Sequence, residues 1–508
     1  MRLERSKNFV QNLKWGLVYR FSGILIPFIC RAAIIRIFGI NYLGLNSLFT
    51  SIITTLNLAE LGFGSAVVFF MYREIATENS EKICALLNYY KRVYRTIGMI
   101  VLVAGIALMP FLKFLIKKDV PTDINIYVIY LITLFATVIS YFLFAYKNSI
   151  LTAFQQESVL YKIRALVLVT ESLLQIVTIF VFKDYYAYLL VTVAAAAANN
   201  LMANHYVRKY YPQYDPHGKL SKEERREISK KIEGLLFYKV GGVVFNSSGS
   251  IVISACLGLN ISGMYGNYYY VLNLLFGMLA VYYTSFRAGL GNSFETETVE
   301  KNYNTFQQLQ FMQSWIIGFC TVCSLCLYQD FIAVYAGPEN LLDMGLVICM
   351  CLYLYIWKIQ DVVHVYKEAC GYWTKDRFRP LVGALINLAL SFALVPFLGI
   401  HGIVIPIILV SLFVDLIWAP KAFFAEYLKK SRKEYYRLLL LGLLDLAVML
   451  VPTYVICVFI NTDSYWLNLL FKLMVCGIVP NVMFVLKNLR KRELATIKRH
   501  LIGMLRKR

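Results

Sequence analysis

Gly39-Ile40-Asn41-x-x-Gly44 returns 219 residues later as Gly258-Leu259-Asn260-x-x-Gly263. In the same register Tyr19-Arg20-x-x-Gly23 returns as Tyr238-Lys239-x-x-Gly242, and Thr77-Glu78-x-x-Glu81-Lys82 as Thr296-Glu297-x-x-Glu300-Lys301. Three matched clusters in one ungapped register mark a duplicated unit. Both copies lie among long apolar runs, so the duplicated elements are membrane helices, an arrangement typical of secondary transporters.

Composition supports this. Of 508 residues, 59% are apolar and 16% charged, more hydrophobic surface than a water-soluble core could hide. The net charge of +21 comes from basic residues placed between apolar spans, the pattern that sets topology. Nucleic acid is therefore not expected as a partner. With about 20 residues per crossing, spans fall near 15–37, 43–71, 96–116, 125–146, 165–182, 185–206, 234–257, 262–286, 309–328, 342–363, 380–398, 401–423, 437–460 and 465–486. The expected fold is an all-α polytopic membrane protein of about fourteen helices. The first span is long, carries arginines and lacks a cleavage site, so it reads as a retained helix.

Basic clusters at the N-terminus, around Lys91–Arg95, from Arg208 to Lys231, from Lys421 to Arg437 and from Lys487 to Arg508 alternate with the spans, which places both termini in the cytoplasm. The repeat offset covers six spans, an even number, so the copies run parallel. The expected organisation is an N-lobe over 1–209, a cytoplasmic linker over 210–233, a C-lobe over 234–430, and two further helices with a basic tail over 431–508, the lobes enclosing a central cavity. In the linker, Leu220, Ile228 and Ile232 also fit one face of a surface helix.

Charges inside spans carry the functional information, because each costs about 2.5–3.5 kcal/mol at the bilayer centre on insertion scales and so marks a pathway or a paired site. Arg20 and Arg31 stand three turns apart on one face of the first helix, about 16 Å in rise. Lys239 is the repeat equivalent of Arg20, and Arg287 closes the eighth span. These four are the candidate substrate-binding residues, lining the cavity; snorkelling toward the interface is the alternative. Glu60, in Leu58-Ala59-Glu60-Leu61-Gly62-Phe63-Gly64, is expected to pair with Arg20 or Arg31, to stabilise a kink or to couple a cation. Asp415 is grouped with it as a pairing or coupling acid, and Glu171, Asp445 and Lys472 are further charges within spans. Cys320-x-x-Cys323-x-x-Cys326 sits in an apolar helix without nearby histidine or carboxylate, so it reads as packing. No catalytic residue, metal or cofactor is expected.

The N-terminal block resembles a known family. Arg20, Phe38-Gly39-x-x-Tyr42-Leu43-Gly44-Leu45 and Leu58-Ala59-Glu60-Leu61-Gly62 are similar to the Wzx-type polysaccharide flippases of the multidrug/oligosaccharidyl-lipid/polysaccharide exporter superfamily. The wording is confined to roughly the first 75 residues, while helix number, repeat and linker extend it over the chain. The resemblance implies a MATE-like fold of two six-helix lobes plus two helices. It implies translocation of an undecaprenyl-pyrophosphate-linked oligosaccharide across the bacterial cytoplasmic membrane, with Arg20 and Arg31 in the cationic lining. Membrane lipids and polysaccharide-assembly proteins are the implied partners. A drug/cation antiporter of the same superfamily would want cavity carboxylates, and a polymerase or ligase would want a large external loop; these are the two rival readings.

Overall fold

The computed structural model describes residues 5–60, 62–369 and 377–496. The extreme N-terminus with Arg2 and the distal basic tail lie outside them. Among the described residues the regular structure is all helical: α1 (Arg5–Ile37), α2 (Ile40–Leu56), α3 (Phe63–Ala76), α4 (Ser80–Leu108), α5 (Ile126–Phe142), α6 (Asn148–Ala153), α7 (Glu157–Val177), α8 (Tyr185–Tyr210), α9 (Lys222–Cys256), α10 (Leu259–Thr296), α11 (Val299–Ala336), α12 (Met344–Lys358), α13 (Asp361–Ala369), α14 (Arg379–Leu398), α15 (His401–Val410), α16 (Leu416–Ala422), α17 (Arg432–Phe459) and α18 (Tyr465–Asn488). The chain divides into two compact units, Met1–Gly266 and Asn267–Arg508.

The expected spans fall largely on helix, and ten helical segments among the described residues are long and apolar enough to cross a bilayer, or eleven if the pair bent by 51° between Phe142 and Ala145 counts as one span. α2 and α3, of 17 and 14 residues, are individually too short. α9 opens on charged turns, and α10 is interrupted by tyrosine and asparagine. Side chains such as Phe114, Val181, Phe397 and Phe459 are exposed apolar surface of the kind that faces lipid.

The duplication is visible in local geometry. Gly39 and its equivalent Gly258 both precede a helix with positive φ, 98° and 108°, a conformation that side chains with a Cβ resist. Asn79 and Thr298, again 219 apart, each cap the next helix. Asn79 Oδ1 accepts from the Lys82 amide at 3.2 Å and Thr298 Oγ1 from the Lys301 amide at 3.3 Å. The recurring Thr-Glu-x-x-Glu-Lys is thus a helix junction with an acid in the first turn, where the helix dipole favours it. Within the first unit the copies also touch. Asn260 Nδ2 donates to Asn41 Oδ1 at 3.3 Å, and a Cβ on Gly44 would stand 2.0 Å from the Leu259 carbonyl oxygen.

The segment before α9 is more ordered than a solvated connection. Ser221 and Glu224 form a capping box, Asn88 donates to the Gly218 carbonyl at 2.7 Å, and Lys147 pairs with Asp215 at 3.3 Å. Leu220, Ile228 and Ile232 are buried against protein. Glu224 is held below its usual carboxylate pKa by the Ser221 backbone amide and then by Lys82.

Candidate functional site

The second expected span is broken where its glycines stand. α2 ends in a 3-10 turn over Asn57–Glu60, and Gly62 takes φ of 98° before α3 begins. The break swings Glu60 out of a regular helix and toward α4 and α5. Tyr94 donates a short hydrogen bond to Glu60 Oε1, and Tyr141 donates to Oε2 at 2.8 Å while lying 3.1 Å from Asn57 Oδ1. Tyr94 packs edge-on against Tyr90 and tilted against Tyr141, with ring centroids 4.5 and 5.5 Å apart. Among the described residues Glu60 forms no ion pair, so the expected partnership with Arg20 or Arg31 is replaced by tyrosine hydroxyls.

Glu60 and these rings line a cavity of about 800 Å³ inside the first unit. It lies among α3–α8, with Ser65, Thr137, Ser140, Asn199, Asn200 and Arg164 on its wall. Arg164, at the head of α7, was missed in the sequence because it precedes the apolar run; its spacing from Tyr161 was the available signal.

Arg20 is exposed on α1, and Tyr19 stacks on Tyr161 of α7 with centroids 6.1 Å apart. Tyr161 lies within electrostatic reach of both Arg20 and Arg164, which brings these two cations into one neighbourhood. Arg31, half-buried, reaches toward the start of α10: its Nη2 would be 3.7 Å from a Cβ on Gly266, and its charge acts on Tyr185 and Tyr188 of α8. Lys239 is half-buried on α9, which packs on α2 and α3.

Charges in the second unit are arranged differently. Asp330 pairs with Lys472 at 2.7 Å, Asp445 with Lys487 at 2.8 Å and Asp361 with Lys358 at 2.9 Å. Asp415 is bonded to Arg379 with both side chains buried, and Arg287 is bonded to Glu368. The first two pairs tie α18 to α11 and to α17, and removing one member of a buried pair costs about 3–5 kcal/mol. Asp415 sits in a π-helical turn, Ser411–Asp415. In the first unit, by contrast, neither span carboxylate, Glu60 or Glu171, forms an ion pair among the described residues; Glu171 accepts instead from Gln175 at 3.3 Å.

The sulfurs of Cys326, Cys457 and Cys476, one each from α11, α17 and α18, lie within 4.8 Å of one another. Cys323 adds a weak bond to the Cys476 carbonyl at 3.8 Å. Three thiols are one donor short of a structural zinc site, and here they fill the seam between three helices.

A model of the family described as polysaccharide biosynthesis protein matches residues 9–286. The chain belongs to that family. The match takes in α1 through most of α10, including Arg20, Arg31, Glu60 and Lys239, and stops just before Arg287. No curated protein sequence matches the chain. Among solved structures, the lipid II flippase MurJ in an inward closed conformation is similar over 94% of this chain and 99% of its own, at 16% identity and a TM-score of 0.66. An inward-facing multidrug resistance MATE family transporter of the MOP superfamily is similar over 79% and 94%, at 13% identity and 0.62. A mutant of the Vibrio cholerae MATE transporter VcmN is similar over 83% and 98%, at 15% identity and 0.52. At such identities the likeness establishes the fold: this polysaccharide biosynthesis family member is a multi-pass membrane protein with a MATE-like, all-α architecture.

Glu60→Gln removes the charge that strengthens two tyrosine hydrogen bonds, each worth about 1.5–3 kcal/mol, at the point where α2 breaks. Membrane abundance or transport falls, and the dependence of the remaining transport on proton or sodium gradients is unchanged. Immunoblots beside transport under collapsed gradients check this; an altered ion dependence would make Glu60 a coupling site.

Proposed function

We propose that this chain is a flippase that carries an undecaprenyl-pyrophosphate-linked oligosaccharide across the bacterial cytoplasmic membrane by alternating access, for cell-surface polysaccharide assembly, with both termini in the cytoplasm. The supporting observation is the family match over residues 9–286, which takes in the arginines of the first helix. In the second unit Asp330, Asp361, Asp415 and Asp445 are each neutralised by a basic partner. In the first unit Arg20, Arg31 and Arg164 stand on helices long and apolar enough to cross a bilayer and Lys239 stands on α9, while the carboxylates Glu60 and Glu171 accept from Tyr94, Tyr141 and Gln175. A lipid pyrophosphate is a dense anion, and the planar guanidinium fork suits its oxygens. No bond need be made or broken, and the binding residues require no cofactor.

The family match supports a role in polysaccharide assembly over drug export, and a cationic drug would need a free carboxylate where Glu60 is already held by Tyr94 and Tyr141. The fold shared with MurJ and with a MATE transporter supports a carrier over the polymerase or ligase reading. Deleting the gene tests the proposal. A lipid-linked oligosaccharide is expected to accumulate on the cytoplasmic leaflet, identifiable by mass spectrometry of extracted lipids, with loss of surface polymer. Normal lipid pools together with new drug sensitivity would favour the antiporter.

A further inference from the structure

The sulfurs of Cys326, Cys457 and Cys476 meet at one point although they come from three helices, α11, α17 and α18. The register of the second unit brings them there. Trp315 of α11 donates to Asn481 of α18 at 2.9 Å, Cys323 to the Cys476 carbonyl at 3.8 Å, and Lys472 to Asp330 at 2.7 Å, so α11 ascends as α18 descends. Cys326 stands one turn before Asp330 and Cys476 one turn after Lys472, which sets the two thiols opposite each other. Cys457 reaches them from the last turn of α17. All three are more than nine-tenths buried, at 7%, 3% and 1% exposure, in a core with Phe311, Val322, Met449 and Phe484. Packing asks only for small apolar side chains at this seam; it gives no reason for three sulfurs within 4.8 Å of one another. Three sulfurs bonded to one metal at about 2.3 Å in a trigonal plane stand about 4.0 Å apart, a spacing within reach of small side-chain movements.

We propose that these three cysteines form a trigonal thiolate site for a soft monovalent metal ion, Cu(I), which fastens the hairpin of α17 and α18 to α11. The donor set decides the metal. Soft sulfur ligands favour Cu(I) and zinc, but a structural zinc site takes four donors, and among the described residues no histidine or carboxylate joins the three thiols. Calcium and magnesium take oxygen ligands. Cu(I), a closed-shell ion, is satisfied by three sulfurs. Binding moves no electron: three thiols take up Cu(I), two of them release their protons to solvent, and the complex carries one negative charge. The Lys472 ammonium lies one turn from Cys476 along α18, which favours that charge. Zinc is the competing occupant, with Cys323 swung in from the Cys476 carbonyl as its fourth donor.

The test uses the full-length protein, purified in detergent under reducing conditions and freed of metal, with Cu(I) supplied as its complex with a chromophoric chelator. The wild-type protein is expected to take one equivalent from the chelator, to show sulfur donors alone in copper-edge X-ray absorption, and to gain several degrees in its thermal unfolding midpoint. Cys326→Ser, Cys457→Ser and Cys476→Ser are each expected to weaken uptake by about a hundredfold or more, since even second-shell changes at metal sites cost about 10–100-fold. Cys323→Ser, and Cys349→Ser on α12, are expected to bind copper as the wild type does. Where a serine variant does not reach the membrane, the wild-type absorption spectrum decides: oxygen or nitrogen donors in it overturn the site. Retention of all the copper by the chelator also overturns it, as does uptake that survives all three ligand variants. Zinc uptake that is lost in Cys323→Ser, with no copper taken, overturns the copper assignment in favour of zinc. A disulfide between two of the three cysteines in unreduced protein, with no copper uptake after reduction, makes the cluster a redox pair and overturns the site as well.

Discussion

Arg20→Ala and Arg31→Ala are expected to abolish polysaccharide display, a loss of at least a hundredfold, while both proteins reach the membrane. Arg20 is exposed while its neighbour Tyr19 makes the stacking contact with Tyr161 of α7, so its truncation leaves the packing of α1 on α7 in place. Arg31 approaches the backbone at Gly266, where a glycine leaves room for its guanidinium. Losing a charge-assisted, bidentate contact to a phosphate removes more than a neutral hydrogen bond would, and the low dielectric of the membrane enlarges the difference. Arg20→Lys is expected to restore part of the function, because the ammonium keeps the charge without the fork. If Arg20 only snorkels to the interface, lysine replaces it fully and alanine is harmless. Complementation of polymer display, with membrane level measured for each variant, separates the two. Normal display by both alanine variants at normal abundance removes the cationic site and the chief reason to prefer an anionic lipid-linked cargo.

The largest structural effect is expected at the contact between the repeats. A Cβ on Gly44 would lie 2.0 Å from the Leu259 carbonyl oxygen and 2.8 Å from its carbon, and a Cβ on Gly263 would lie 2.3 Å from the Ile40 oxygen. The obstructing atoms are largely backbone, which cannot rotate away as a side chain can. Gly44→Ala gains about 1 kcal/mol in helix propensity, but the overpacking opposes it by about 3 kcal/mol or more. Separation of α2 from α10 and loss of the Asn41–Asn260 hydrogen bond follow. The expected outcome is a thermal unfolding midpoint lowered by several degrees and a reduced membrane level, with Gly263→Ala behaving alike and Gly289→Ala, whose Cβ meets nothing within 4 Å, behaving as wild type. Equal stability of all three variants would show that the two segments do not pack as closely as this.

The fold was legible in the sequence because its signals are local or periodic. Apolar length sets a helix that can cross a bilayer, and a repeat in one register recurs as matched local geometry. Even fine features followed from such signals: the matched Thr-Glu-x-x-Glu-Lys became matched caps at Asn79 and Thr298, and the glycines after Glu60 marked the break between α2 and α3.

What the sequence alone could not determine was which charge meets which. Asp330 and Lys472 are 142 residues apart, and Asp445 and Lys487 belong to separate helices; no periodicity connects them. Glu60 was legible as an acid in a span, but whether an arginine or a tyrosine would reach it depended on how α4 and α5 pack around the broken helix. Arg164 and the Asn199–Asn200 pair carry no signal as singular as an arginine in mid-span, and only convergence of α3–α8 gathers them into one cavity. Composition and periodicity determine which segments enter the membrane, since that is decided by the free energy of each segment's transfer. The tertiary structure decides which polar groups are satisfied by protein and which are left for a ligand, since a hydrogen bond or ion pair depends on distances that no single helix sets.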